Sequence, residues 1–368
     1  GQRNYSAESL IQLETLLTRS PYLYAGYGLY RDTALDLYWD SKNKKYFEQL
    51  DLILLNSPPE YRYSIFEAID RFWLSSDRGN MATARLQISE VQKRGADSLT
   101  IIELEAYMSF KTGEYKQAAD LYSNAFKLRP STALLNNITF SYWRMGDLTK
   151  AESVLNKMLE IVPNSYSAQQ LQASLWLLQG KLELAISAYE KLVISLNNGK
   201  DLTNLSLAYG LNKNYKKSLE FARKALNKNP KHPVDLLNLA DIEMILGHKK
   251  SAISHYQEVV AILIGKNEVK YLTNLAQAYS QLEQANLALA ALSKAQTLAP
   301  DNGEVSYSSA IVYSLLKEKS SAVHHVKSAL KNNVGVVWFN LPWFDALCEE
   351  NEFQQLMKKY KNEGRCSN

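Results

Sequence analysis

The chain has 368 residues, with 42 Lys and Arg against 38 Asp and Glu, a net charge of +4 at pH 7. So slight an excess does not mark a nucleic-acid binder, and two cysteines supply neither a disulfide framework nor a metal set. The longest apolar runs, such as VVAILIG at 259–265, are far too short to span a bilayer, so the expectation is a soluble helical chain, with the compartment open between cytoplasm and periplasm.

The chain opens on GQRNYS, without Met or a signal-like segment, and reads as a piece of a longer protein. AESLIQLETLLTRSP at 7–21 reads as a second helix whose partner is missing. A Tyr-rich stretch follows at 22–39. Within it, GYGLYR at 26–31 begins like a glycine-rich phosphate loop, but Arg31 stands where the third glycine belongs and no predicted strand precedes it, so helix packing is expected. Asp36 and Asp40 sit one helical turn apart and read as a solvated face. KKYFEQLDLILLNSPP at 44–59 reads as another second helix. Gly79, Ala84, Ile88 and Val91 mark a weak repeat that ends near Ala96.

From about residue 98 a period takes over. Gly113, Gly146, Gly180 and Gly247, with Lys213 standing in the series, recur at spacings of 33 or 34 and mark a turn between two helices. Five residues after each mark comes a small residue: Ala118, Ala151, Ala185, Ser218 and Ala252. Pro130, Pro163, Pro230 and Pro300 close helices at matching points. A second small series, Ala106, Thr139, Ala173, Ser206, Ala240, Ala276 and Ala310, falls in the preceding helices, where close helix crossing needs it. Two residues are inserted near Gly265. The array ends on VWFNLPWFDALCEENEFQQLMKKY at 337–360, whose aromatic residues are expected to cap the last repeat.

This pattern resembles the tetratricopeptide repeat, a helical hairpin of 34 residues. The resemblance implies an all-α solenoid: a right-handed superhelix of about nine hairpins plus a C-terminal capping helix, with first helices lining a concave face that binds partners. It divides the chain into divergent helical repeats at 1–97, a seven-repeat array at 98–336 and an aromatic cap and tail at 337–368. The two ends also look like those of tetratricopeptide regions in bacterial serine/threonine kinases and winged-helix transcription factors.

No catalytic or metal-binding constellation appears: HExxH, CxxC, GxSxG and Walker patterns are absent, and His248 and His255 lack an evident third ligand. The chain is therefore read as non-enzymatic, with no cofactor and no nucleic acid. The informative positions lie two residues before the small residue of each first helix, where Asn137, Asn204, Asn238 and Asn274 recur. Helix propensity does not explain asparagine there. Its amide offers a donor and an acceptor that match one peptide unit of an extended chain. Similar asparagine rows line the tetratricopeptide superhelix of the enzyme that adds N-acetylglucosamine to proteins.

Lys200 and Lys270 precede Asn204 and Asn274 by one turn and favour an acidic or C-terminal ligand, although Thr203, Leu207 and Asn274 depart from the carboxylate clamp of chaperone-binding repeats. Tyr107, Phe110, Phe140 and Trp143, with Lys111 and Arg144 beside them, are expected to form an aromatic pocket with a basic edge. The expectation is a scaffold that binds a protein or peptide segment in its groove, as a module of a larger bacterial signalling protein. The alternative is a regulatory region of a kinase or transcription factor that forms a homodimer or responds to a small ligand.

Overall fold

The structure, a computed structural model, describes residues 6–41 and 43–366. The opening GQRNY and the Asp40 side chain of the Asp36–Asp40 pair lie outside the described residues. Among the described residues the chain is an all-α solenoid of successive helical hairpins without a strand. Its backbone gathers into two compact units, residues 1–157 and 158–368.

In the first unit, α1 (Ala7–Arg19) packs on α2 (Tyr24–Ser41), which pairs with α3 (Lys45–Leu55). The GYGLYR segment is thus internal to α2 and forms no phosphate loop. A short α4 (Pro59–Arg62) leads to the hairpin of α5 (Ile65–Asp77) and α6 (Met81–Lys93). Then come the pair α7 (Ser98–Lys111) and α8 (Tyr115–Leu128), α9 (Thr132–Arg144) and α10 (Leu148–Ile161), the last crossing the unit boundary. Side-chain caps start several helices: Asp97 Oδ1 accepts from Thr100 N at 2.7 Å and Ser131 Oγ from Leu134 N at 3.2 Å. Each such cap contributes about 1 kcal/mol.

The second unit continues with α11 (Tyr166–Leu178) and α12 (Leu182–Leu196), α13 (Gly199–Leu211) and α14 (Tyr215–Lys228), and α15 (Pro233–Ile245) and α16 (Lys249–Leu263). It closes with α17 (Val269–Gln281) and α18 (Ala285–Leu298), α19 (Gly303–Leu315) and α20 (Lys319–Lys331), and α21 (Asn351–Lys359) after two 3-10 runs. No helix among the described residues is long and apolar enough to cross a membrane.

Both series of small residues sit where helices meet. The first-helix members, from Ala106 to Ala310, are at most 2 % exposed, and the second-helix members Ala118, Ala151, Ala185, Ser218 and Ala252 are fully buried. Around them pack aromatic or branched residues in most hairpins, among them Tyr122, Leu155, Tyr189 and Tyr256. A larger side chain at a small position would force the helices apart, at roughly 1–3 kcal/mol.

From α5 to α20 the turn inside each hairpin has one form. Gly113 takes φ +86°, in the left-handed region, and lets Glu114 N reach back to Ser109 O at 2.8 Å. Lys213 stands in the same place with φ +59°, and Asn214 N reaches Tyr209 O at 2.9 Å. The series continues through Glu283 and Lys317, at φ +61° and +63°. A side chain in this conformation is strained, which glycine avoids. Lys213→Gly is therefore expected to stabilise the chain by about 1 kcal/mol and Gly113→Ala to destabilise it by a similar amount. Urea unfolding midpoints of the two variants, on opposite sides of wild type, check this.

Candidate functional site

The first helices carry every residue that the sequence pattern nominates. In the first unit, Asn137 is half-buried on α9, and Phe140, one turn on, is 37 % exposed. The Phe140 ring stacks on Trp143 with centroids 5.7 Å apart. The exposed Arg144 guanidinium donates to Tyr115 Oη at 2.9 Å and lies 5.3 Å from that ring's centroid. Tyr107 faces the other way, edge-on to Trp73 at 4.5 Å, and Phe110 meets Tyr115 at 5.4 Å. The four expected aromatics thus form three separate ring contacts, not one shared pocket. The reason is that Tyr107 lies on the side of α7 that packs on α5.

In the second unit, Asn204, Asn238 and Asn274 are each half-buried on α13, α15 and α17. Asn204 Nδ2 donates to Tyr189 Oη at 3.1 Å, so one of its donors already serves its own repeat. Asn238 Nδ2 is buried without a hydrogen-bond partner. Lys200 and Lys270 are exposed, and Lys270 Nζ sits 4.6 Å from the Tyr271 ring centroid.

What faces Asn238 is the chain's own C-terminal segment. Nearly every residue from Val336 to Leu347 is apolar, and Pro342 forces Leu341 into an extended conformation, so the segment forms two 3-10 runs with a bend between them. Phe339, Phe344 and Leu347, fully buried with Phe353, pack on Ala310, Ala322, Val326 and Leu330 of α19 and α20, as a cap does. The other flank reaches much further. Val337 and Trp338 join the core of α11 to α13 with Leu177, Tyr189 and Tyr209, and Val337 lies 3.2 Å from the position that a Gly180 side chain would take. Trp338, Leu341 and Trp343 close a cavity of about 40 Å³ against Leu207, Gly210, Asn238, Asp241 and Ile242.

The aromatic stretch expected to cap the last repeat thus does more than cap it. The hairpins pack on their neighbours in the chain, whereas the tail spans from α11 to α19. It is held at both ends: Ser314 Oγ donates to Trp343 O at 2.5 Å, Arg365 binds Leu341 O and Asp345, and Asn362 donates to Asn340 Oδ1 at 2.9 Å. The Cys348–Cys366 disulfide ties the last residues back to the second 3-10 run.

Asp241 lies in the same wall. Its Oδ1 accepts from Tyr256 Oη at 2.7 Å and its Oδ2 from Gln277 Nε2 at 2.6 Å, while burial pushes its carboxyl up to about 7. Burial outweighs the two hydrogen bonds, which favour the ionised form.

Models of the tetratricopeptide repeat family match residues 141–199 and 269–302. The chain carries tetratricopeptide repeats. It is 25 % identical over 223 residues to the BBSome complex member BBS4 of Bos taurus, a match covering 60 % of this chain and 42 % of BBS4. The chain thus spans less than half the length of that relative. Among solved structures, it resembles the apo form of RapI with a TM-score of 0.56 and 14 % identity, over 82 % of this chain and 97 % of RapI. It also resembles the APC/C hetero-tetramer Cut9–Hcn1, with a TM-score of 0.50 and 17 % identity, over 91 % of this chain and 62 % of that one. These two likenesses concern the fold. A chain of such repeats is a protein-interaction scaffold.

Sequence reasoning missed the reach of the tail and the aromatic and charged residues Arg31, Trp39 and Trp73. The signal for the tail was present: a one-sided cap needs apolar residues on one flank, whereas Val336–Leu347 is apolar on both.

Two outcomes follow for the tail. Gly335 lies so close to α11 that an added Cβ would sit 2.5 Å from Leu178 O. Gly335→Ala is expected to lift the segment and cost about 1–3 kcal/mol, seen as faster hydrogen exchange at the amides of 336–347. The second concerns pH. Unfolded Asp241 titrates near 3.8 and folded Asp241 near 7, so the native state holds the extra proton between these values. Stability is then full at the acidic end and falls as pH rises through about 7. Asp241→Asn is expected to flatten that fall and to exceed wild type by about 1–2 kcal/mol at pH 8, as measured by denaturant unfolding at a series of pH values.

Proposed function

We propose that the chain is a non-catalytic scaffold whose first helices hold an extended segment of a partner protein. The observation that carries this is the recurrence of half-buried asparagine amides on the first helices, at Asn137 on α9 in the first unit and at Asn204, Asn238 and Asn274 on α13, α15 and α17 in the second. An amide of this kind pairs with one peptide unit whatever its side chain.

Magnitudes decide where such a segment finds its affinity. Each amide contact contributes roughly 1 kcal/mol, so the few available on either unit alone give weaker than millimolar binding. Anchors are needed. In the first unit the stacked Phe140–Trp143 pair, with exposed Arg144 beside it, offers an apolar anchor next to a cation. In the second unit the tail already covers Asn238, so a segment there would run past Asn204 and Asn274, where Lys200 and Lys270 favour acidic residues. The preferred ligand is thus an extended segment with an aromatic or aliphatic residue and acidic neighbours. A place within a larger bacterial signalling protein belongs to the same proposal and rests on the likeness of the two chain ends alone.

Selection of a random peptide library on the full chain tests this. Enriched peptides are expected to be acidic with an apolar anchor. They should bind the Asn137→Ala/Phe140→Ala/Trp143→Ala variant at least tenfold more weakly, a difference of about 1.4 kcal/mol. Equal affinity for the variant and wild type refutes the reading.

A further inference from the structure

We infer that the first unit carries a second, separate binding site, a cage for the basic side chain of a partner polypeptide, built by α2, α5 and α7 and partly occupied by the chain's own Lys111. A cavity of about 460 Å³ opens between these helices, walled by Trp39, Trp73 and Tyr107. Its size falls within the range of ordinary ligand sites.

Three rings facing one space attract a cation through their negative faces, and here a cation sits among them. Lys111 closes α7, so its stem runs back along Tyr107 one turn earlier. Its Nζ lies 5.6 Å from the Trp39 ring centroid, 5.5 Å from that of Tyr107 and 3.5 Å from Asp77 Oδ1. Tyr107 is held in place edge-on to Trp73 at 4.5 Å.

Charge points the same way. Asp32, Asp36 and Asp77 line the cavity. The cations there are Lys111 and Arg31, and Arg31 divides its donors between Asp32 at 2.7 Å and the buried Asp70 at 2.6 Å. Three carboxylates therefore line the cavity with two cations, one of which also serves Asp70 behind it, and an anionic ligand would add to the excess. A guanidinium satisfies both features of the site, stacking on an indole and binding a carboxylate through paired N–H groups. Lys111 has a long flexible stem and a quarter-exposed head, so it can leave toward solvent when an arginine enters.

The site is independent of the asparagine row, and its test separates the two. The full chain is labelled with 5-fluorotryptophan, and the Trp39 and Trp73 resonances are assigned with Trp39→Phe and Trp73→Phe. It is then titrated with capped Gly-Gly-Arg-Gly-Gly and with its glutamate counterpart. The expected result is a saturable shift of both resonances with the arginine peptide only. Removing the internal occupant should tighten binding about tenfold in Lys111→Met and likewise in Lys111→Gln, a gain that a merely structural lysine does not predict. The Asn137→Ala/Phe140→Ala/Trp143→Ala variant should bind the arginine peptide as wild type does. An equal response to the glutamate peptide, or unchanged or weaker binding in both Lys111 variants, overturns the proposal.

Discussion

The contact between two small side chains where paired helices cross is the constraint on which the fold depends. Ala173 on α11 and Ala185 on α12 are both fully buried, and the same holds for Ala240 with Ala252 and for Ala310 with Ala322. A methyl group at the crossing lets the two backbones approach, and only then do Tyr189, Tyr256 or Val326 fill the remaining space at the density of a protein interior. The left-handed turn serves the same contact. It returns the chain in the fewest residues, so the small residue five positions on falls opposite its partner. Where the residue at the turn is Lys213, Glu283 or Lys317, the geometry is kept despite the strain, because the crossing beyond it dictates it.

A solenoid built this way is stabilised by each hairpin and its interfaces with its neighbours, so opening can begin at an end and spread. The tail changes that in the second unit. By packing Phe339 and Phe344 on α19 and α20 and Val337 on α11 to α13, it joins repeats that would otherwise be coupled only through the hairpins between them. Such a contact raises cooperativity, since fraying of the last repeat must also expose apolar surface on α11 and α13. The disulfide, the Arg365 hydrogen bonds and Asn362 confine the tail's last residues around the same segment.

How much of this was legible in the sequence depended on period. The hairpins, their turns and the small positions repeat about every 34 residues, and repetition makes a weak local preference a strong signal. The stand-in role of Lys213 was readable only from its place in the series. The tail occurs once and has no period, so its apolar residues pointed to burial but not to the distant helices that bury them. The expected aromatic pocket failed for a related reason. Spacing placed Tyr107 and Phe140 on one face, but whether rings converge depends on neighbours from other repeats, and Trp73 draws Tyr107 away. Trp39, Arg31 and Asp36 lie in the divergent first repeats, where no register exists to align them with Lys111.

The two units thus treat the same inner positions differently, and the chemistry follows. Along α13 and α15 the inner wall has been made apolar enough to seat Trp338 and Leu341, and the cost appears in the polar groups left there: an Asn238 Nδ2 without a partner and an Asp241 carboxyl whose ionisation burial opposes. Such groups are tolerated when the surrounding packing outweighs them. In the first unit the described residues of α2, α5 and α7 keep rings, carboxylates and a lysine at the edge of solvent. A wall with its own polypeptide bound has little left to offer a partner except by displacement. On the site inferred above, displacing Lys111 costs its ion pair with Asp77 and its contacts with the Trp39 and Tyr107 rings.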